Sequence, residues 1–197
     1  RSREQHMAAR AADYTTLNAA GLTSVRHPGV SVDDYRLLQE MQRRGLLTMR
    51  VHALLRPGGD ASAVARTLDA SGLRQGEGDA WLRLGGIKLA VDGGFEGGLM
   101  RAPYEEPFGE GGTFRGLQTM DRERFGAVVR LLNQRGWRVA THAVGDAAMD
   151  LVLDTYERAH AETPLTGRRW SIEHAFIGRP DHLPRIKAMS LALAVQN

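Results

Sequence analysis

The most constraining feature of this sequence is a regular alternation between helix-type segments and short apolar segments. A helix-type pattern over residues 3–20 is followed by six apolar segments that read as strands, at residues 22–25, 46–55, 84–91, 137–141, 170–172 and 191–195. Helix-type patterns lie between them, at residues 31–44, 61–70, 121–135, 146–160 and 180–189. Strands that alternate with helices in this way predict a parallel sheet built from βαβ units. The sequence therefore predicts an α/β fold.

The composition is that of a globular protein and excludes several classes. Of the 197 residues, 42% are hydrophobic and 25% are charged, which excludes a wholly disordered chain. The longest apolar run, at residues 191–195, is too short to span a membrane, and the dispersed basic residues do not form a nucleic-acid-binding patch. The absence of cysteine excludes disulfides and thiolate chemistry. We expect a cytoplasmic protein that binds neither nucleic acid nor membrane, with one domain, or part of one, over residues 1–197.

A glycine-rich segment over residues 92–118 interrupts the alternation. It has eight glycines and no apolar periodicity, as expected of either a flexible insertion or a functional loop. It follows the carboxyl end of a strand, where α/β proteins place their sites, which favours function. Arg101 and Tyr104 are its candidate substrate contacts, although exposed loop residues are the simpler interpretation.

Three polar side chains stand at the ends of successive apolar strands: Lys88, His142 and His174. Alternation along a strand places Lys88 with Asp92, Ala140 with His142, and Ile172 with His174. If these faces line one interior, two imidazoles and a lysine converge in a way that a pair of divalent metal ions explains best.

Lysine is a metal ligand only when its ammonium group is lost, for example by reaction with CO₂ to a carbamate that bridges two cations. The chain has only two lysines, Lys88 and Lys187, so a lysine inside an apolar strand is informative. A strand lysine can also extend its amine to solvent at a sheet edge, and a histidine at a strand end is often a hydrogen-bonded core residue. It is the repetition at equivalent strand ends that favours a metal site.

Two aspartates next to these strands are further candidates for the catalytic machinery. Asp146 follows Gly145 at a predicted helix start, which indicates either an N-cap or a carboxylate that orients His142. Asp92 is a candidate to hydrogen-bond the substrate or to hold the glycine-rich segment.

The segments that carry these residues resemble the amidohydrolase superfamily. The resemblance rests on Gly-Ile-Lys-Leu-Ala-Val-Asp-Gly-Gly at 86–94, Gly-Gly-Thr-Phe-Arg-Gly-Leu at 111–117, Thr-His-Ala-Val-Gly-Asp at 141–146, and Ile-Glu-His-Ala at 172–175 with a later Pro-Asp. The sequence looks most like amidohydrolase family 3, the branch related to N-substituted formamide deformylase. This resemblance implies a (β/α)₈ barrel of the TIM type, one or two metal ions, usually zinc, and hydrolysis of a C–N bond in a small amide-type substrate. It also implies that Lys88 is the carboxylated ligand on strand 4, His142 the ligand on strand 5 and His174 the ligand on strand 6.

Two parts of the family pattern are missing from the sequence. There is no His-x-His motif, and no counterpart of the family's strand-8 aspartate, which accepts a proton from the attacking water. We therefore expect strands 2 to 7 only, as in the middle of a longer enzyme. Six strands would leave two open edges, so we expect them to be covered, for example in a homo-oligomer.

Other catalytic motifs are absent, including G-x-S-x-G, G-x-x-x-x-G-K and H-E-x-x-H. The sequence thus predicts a metal-dependent amidohydrolase. Two alternatives remain open: a barrel fragment that binds no metal and is stable only as an oligomer, and another parallel α/β enzyme with a phosphate-type ligand.

Overall fold

The computed structural model describes residues 2–195, and six strands alternate with six α-helices along them. The strands are β1 (Ser24–Val30), β2 (Arg50–Leu55), β3 (Leu82–Ala90), β4 (Val139–Ala143), β5 (Ser171–His174) and β6 (Ala192–Ala194). The helices are α1 (Arg3–Ala19), α2 (Val32–Arg43), α3 (Ala61–Ser71), α4 (Arg122–Gln134), α5 (Asp146–Glu162) and α6 (His182–Ala188). Within residues 92–118 the only helical element is a 3₁₀ turn at Phe95–Gly97.

Helix starts follow local capping chemistry. Ser31 caps α2: its hydroxyl accepts a hydrogen bond from Asp34 N at 3.0 Å, and the Asp34 carboxylate accepts one from Ser31 N at 3.1 Å. Asp121 caps α4 through its carboxylate, which accepts a hydrogen bond from Arg124 N at 2.9 Å. These caps satisfy backbone donors that a helix leaves unpaired, which is why both helices begin where the sequence predicted.

The chain divides into two compact units. The first comprises the residues up to Gly58 together with Arg66–Lys88. In it β1 pairs in parallel with β2, and β2 pairs in parallel with β3. The register between β2 and β3 shifts after Ala53, where the ring of His52 lies against Gly85 so closely that a Cβ there would be 2.1 Å from it.

The second unit comprises Gly59–Ala65 and the residues from Leu89 onward. In it β4 pairs in parallel with β5, and β5 pairs in parallel with β6. Its core contains stacked and edge-on rings: Tyr156 contacts both Phe125 and Trp170, with centroid separations of 6.4 and 4.9 Å. The core thus lies between the strands and helices α4 and α5.

The strand order in the sheet is β1-β2-β3-β4-β5-β6, the order of the chain. Together with the parallel pairing inside each unit, this order confirms the α/β class and is consistent with part of a (β/α)₈ barrel. The assignment of these strands as strands 2 to 7, and of residues 1–197 to one barrel domain, stays a prediction.

The predicted last strand is shorter than expected. It covers Ala192–Ala194; the exposed Leu193 is its middle residue, and the exposed Val195 follows it. Gln196 and Asn197, which follow the predicted strand at residues 191–195, lie outside the described residues. Within residues 2–195 no helix combines the length and the apolar character needed to cross a bilayer.

Candidate active site

Strand β4 presents His142 as the sequence predicted. The Thr141 hydroxyl hydrogen-bonds the Tyr156 hydroxyl of α5 at 2.7 Å, so Thr141 faces the helix layer. Alternation therefore turns Ala140 and His142 to the opposite face. The His142 side chain is 19% exposed, so most of it is packed against protein while part of the ring remains accessible to solvent.

The His174 ring lies next to the His142 ring, but the backbone conformation that places it there differs from the one predicted. In the parallel register His142 lies beside Glu173, so regular alternation would turn His174 to the other face of the sheet. His174 instead has a φ of 74°, and Ala175 has a φ of 50°, both in the left-handed region. The rings of His142 and His174 consequently lie edge to face with centroids 4.5 Å apart. The predicted pairing of Ile172 and His174 on one face is thus wrong, because the positive φ breaks the alternation.

The hydrogen bonding of His142 suits a metal ligand. Its Nε2 lies 2.7 Å from the carbonyl oxygen of Gly93, which only accepts, so Nε2 carries the proton. In this tautomer Nδ1 has a free lone pair, and the hydrogen bond at Nε2 fixes the ring orientation. Two adjacent imidazoles, one with its outer nitrogen occupied in this way, fit a divalent cation of the zinc type.

Asp92 is the residue that stands next to His142. Its side chain is fully buried, and Oδ1 lies 3.4 Å from His142 Nε2. The carboxylate also accepts hydrogen bonds from the backbone N–H groups of Leu99 at 3.0 Å, Val144 at 3.1 Å and Gly145 at 2.9 Å. Asp92 therefore joins the glycine-rich segment to the turn between β4 and α5, at the place where that turn follows His142.

Both structural roles predicted for Asp146 are wrong. Gly145 is the N-cap of α5, and the Asp146 carboxylate accepts hydrogen bonds from Arg101 N at 2.8 Å and Arg179 Nε at 2.9 Å rather than contacting His142. Burial alone would raise the pKa of Asp146, but these hydrogen bonds and the charge of Arg179 lower it overall. The carboxylate thus fastens the glycine-rich segment to the helix start.

Lys88 lies in β3 and is only 7% exposed. Burial of a lysine is uncommon in proteins unless its amine is paired. Lys88 belongs to the first unit and both histidines belong to the second. The convergence of Lys88 with His142 and His174 stays a prediction.

The two predicted substrate contacts have partners inside the chain. Arg101 donates hydrogen bonds to Asp150 and Asp181, each at 2.6 Å, and these bonds raise the pKa of Arg101 above its ordinary value. The Tyr104 hydroxyl donates to the carbonyl oxygen of Gly98 at 2.8 Å. Both side chains hold the glycine-rich segment, and their contact with substrate stays a prediction.

Sequence reasoning missed the acidic group around Arg101. Asp150, Asp181 and His182 place potential ligand atoms within 4.8 Å of one another, a spacing that suits a metal ion. The guanidinium of Arg101 already supplies positive charge to both carboxylates there. The only sequence signal was the Pro-Asp that precedes α6.

The glycine-rich segment is part of the second unit and is folded back on itself. Met100 N donates to Arg115 O at 2.7 Å, and Gly93 N donates to Leu117 O at 3.1 Å. Close packing explains some of its glycines and that of the neighbouring turn: a Cβ on Gly145 would lie 1.9 Å from Leu99 O, which no side chain tolerates. The segment thus builds a fixed surface beside the histidines.

Comparison with known proteins assigns the chain to a family. A family model described as the amidohydrolase family matches residues 1–197, and the chain belongs to that family. Over 116 residues, 59% of this chain, it is 34% identical to Protein LONG AFTER FAR-RED 3 of Arabidopsis thaliana and 30% identical to YtcJ of Bacillus subtilis (strain 168). These matches span 20% and 21% of the two relatives.

Among solved structures, an uncharacterized metal-dependent hydrolase from Pyrococcus furiosus superposes with a TM-score of 0.81 and 30% identity. The match covers 100% of this chain and 39% of that one. The chain therefore spans about two fifths of this structural relative, and the family membership supports the amidohydrolase resemblance seen in the sequence.

Proposed function

We propose that this chain carries metal ligands of a metal-dependent hydrolase that cleaves the C–N bond of a small amide. The observation that carries the proposal is the His142–His174 pair, with ring centroids 4.5 Å apart and Nε2 of His142 held by Gly93 O. Family membership and the metal-dependent hydrolase from Pyrococcus furiosus support the reaction class.

The residues divide into ligands and supports. Nδ1 of His142 and the imidazole of His174 would hold the cation, for which we propose zinc. Lys88, as its carbamate, would supply the anionic ligand that a neutral imidazole pair lacks. When bound, the metal would lower the pKa of water toward neutrality and polarise the amide carbonyl.

Gly93 and Asp92 would support the ligands: Gly93 sets the tautomer of the His142 ring, and Asp92 holds the backbone around it. Gly93 O holds the proton on Nε2 of His142, so that the Nδ1 lone pair stays available. The Asp92 carboxylate fixes Leu99 N, Val144 N and Gly145 N, and so keeps the segment that contains Gly93 against the end of β4. The folded glycine-rich segment would exclude water from one side of the bound substrate.

The test is metal content and hydrolysis in the protein as its gene encodes it. N-substituted formamides are the first substrates to assay, since the sequence looks most like that branch of the family. We expect stoichiometric zinc and turnover in the wild type, and loss of both in His142→Ala and His174→Ala. The exposed His6 provides the control, and His6→Ala should behave like wild type. Turnover that survives in both variants with no bound metal would refute the proposal.

A further inference from the structure

The buried carboxylate of Asp146 joins two segments that lie far apart in the sequence. Asp146 is 2% exposed and stands in the first turn of α5. Its Oδ1 accepts a hydrogen bond from Arg101 N in the glycine-rich segment at 2.8 Å, and its Oδ2 accepts one from Arg179 Nε at 2.9 Å. Arg179 belongs to the β5–α6 loop, residues 175–181. Only the bond from Ala147 N to Oδ1, at 3.0 Å, is local to the helix start.

The glycine-rich segment contacts the ring of His142. Gly93 O lies 2.7 Å from His142 Nε2 and accepts its hydrogen bond. Further along the segment, Leu99 O accepts a hydrogen bond from Ala147 N at 3.1 Å, so the segment crosses the first turn of α5 two residues before Arg101. The bond from Arg101 N to Asp146 therefore fixes the far end of the stretch that holds the His142 ring.

The β5–α6 loop begins directly after His174. Ile177 N donates to Val144 O at 3.0 Å, so the loop runs beside the turn between β4 and α5. At the far end of the loop, Arg179 N donates to Nδ1 of the buried His182 at 3.1 Å. The bond from Arg179 Nε to Asp146 therefore ties a fixed backbone position of this loop to the helix start.

The backbone of His174 needs support of this kind. Its φ of 74° lies in the left-handed region, which residues other than glycine adopt at an energetic cost and keep only where the surrounding structure holds them. A regular strand conformation would turn the ring to the other face, away from His142. The loop that follows His174 thus helps to set the 4.5 Å separation of the two ring centroids.

We propose that Asp146 is a positioning residue that sets the separation of the His142 and His174 rings by fixing the two segments against each other. It acts through Arg101 and Arg179 rather than through the rings themselves. This inference rests on the proposed function, because the separation matters when both rings bind one cation. Ligands that are held in place before the ion arrives bind it more tightly, since less freedom is lost on binding.

The experiment compares Asp146 with Asp154, a second carboxylate of α5. Asp154 also accepts hydrogen bonds from two arginines of other elements, Arg122 at 2.9 Å and Arg185 at 2.7 Å, but these lie on α4 and α6. Zinc affinity would be measured by competition with a chelator, at equal fractions of folded protein, in the protein as its gene encodes it. We expect Asp146→Ala to lower zinc affinity about tenfold and Asp154→Ala to leave it unchanged.

Variants of Arg179 test the same link with less risk to folding, since its side chain is 49% exposed. Arg179→Ala should weaken zinc binding, and Arg179→Lys, which keeps a donor, should recover part of the loss. In the Asp146→Ala background, Arg179→Ala should have no further effect on zinc affinity, because the bond between the two is already lost. Independent effects that multiply in the double variant would overturn the proposal.

Nuclear Overhauser contacts between the ring protons of His142 and His174 in the metal-free protein separate this inference from the proposed function. If wild type neither binds zinc nor hydrolyses amides, but these contacts weaken in Asp146→Ala and Arg179→Ala and persist in Asp154→Ala, the proposed function fails and the positioning role stands. Unchanged ring contacts and zinc affinity in Asp146→Ala and Arg179→Ala would overturn the positioning role. Equal losses in Asp146→Ala and Asp154→Ala would also overturn it, because the effect would then be a general loss of stability.

Discussion

The carboxylate of Asp92 and the imidazole of His142 lie side by side, with Oδ1 of Asp92 3.4 Å from Nε2 of His142. Asp92 follows the end of β3, and His142 lies near the end of β4. The same carboxylate accepts the backbone N–H groups of Val144 and Gly145. One buried group therefore both supports the turn after His142 and adjoins the ring that we propose as a metal ligand.

Replacement of Asp92 should weaken metal binding and folding together. In Asp92→Asn the amide NH₂ cannot accept a hydrogen bond from a backbone N–H, so we expect a loss of about 1–3 kcal/mol in the free energy of unfolding. Loss of a group that supports a ligand typically lowers metal affinity by about 10- to 100-fold. Urea denaturation and zinc titration check the two effects. The exposed Asp13 is the control, and the account fails if Asp13→Asn and Asp92→Asn behave alike.

Two glycine substitutions should have opposite effects on stability. A Cβ on Gly145 would lie 1.9 Å from Leu99 O, so Gly145→Ala must move the glycine-rich segment, and we expect about 2 kcal/mol of destabilisation. A Cβ on Gly126, within α4, has nothing within 4 Å, so Gly126→Ala should stabilise by up to about 1 kcal/mol. Both values follow from thermal or urea denaturation. A neutral Gly145→Ala would show that the segment does not pack on the β4–α5 turn.

The sequence predicted the elements better than it predicted the contacts between them. The starts of α2 and α4 could be predicted from Ser31 and Asp121, because an N-cap hydrogen-bonds backbone groups only a few residues away in sequence. The sequence named His174 as a candidate site residue. It did not predict the φ of 74° at His174, because no local pattern requires a histidine in the left-handed region. Asp146 was predicted to be either an N-cap or the carboxylate that orients His142, whereas Gly145 caps α5 and the carboxylate next to His142 belongs to Asp92, which follows β3.

The Arg101 cluster shows the same limit. Arg101 lies next to Asp150 and Asp181 because the glycine-rich segment packs against α5 and the start of α6 in the folded structure. Charge pairs between residues so distant in sequence leave no periodicity or motif. The sequence therefore named Arg101 as a substrate contact without revealing its partners.

The ion pairs of this cluster should give stability a defined pH dependence. Hydrogen bonding from Arg101 lowers the pKa of Asp150 below its ordinary value of 3.8. A carboxyl whose folded-state pKa is depressed contributes stability above its unfolded pKa, and loses that contribution as the pH falls through the folded pKa. The melting temperature of wild type should therefore exceed that of Asp150→Asn at neutral pH, and the difference should shrink below pH 3.8. A difference that is constant between neutral pH and strong acid would contradict this assignment.

The two lysines offer a matched pair for the carbamate. Lys88 is buried in β3, and Lys187 is exposed on α6. We expect Lys88→Ala to abolish bound metal and turnover, with partial recovery when a short carboxylate such as acetate or propionate is added. Lys187→Ala should keep both. Wild-type metal content in Lys88→Ala would exclude a carbamate ligand at this position.

The most direct test of the metal assignment is an anomalous-scattering map of crystals of the zinc-loaded protein. The account predicts a peak about 2.0–2.1 Å from Nδ1 of His142 and in contact with the imidazole of His174, since that is the length of a zinc–imidazole bond. Zinc found only at Asp150, Asp181 and His182 would contradict the account. Zinc bound to Nε2 of His142, with the hydrogen bond to Gly93 O lost, would also contradict it.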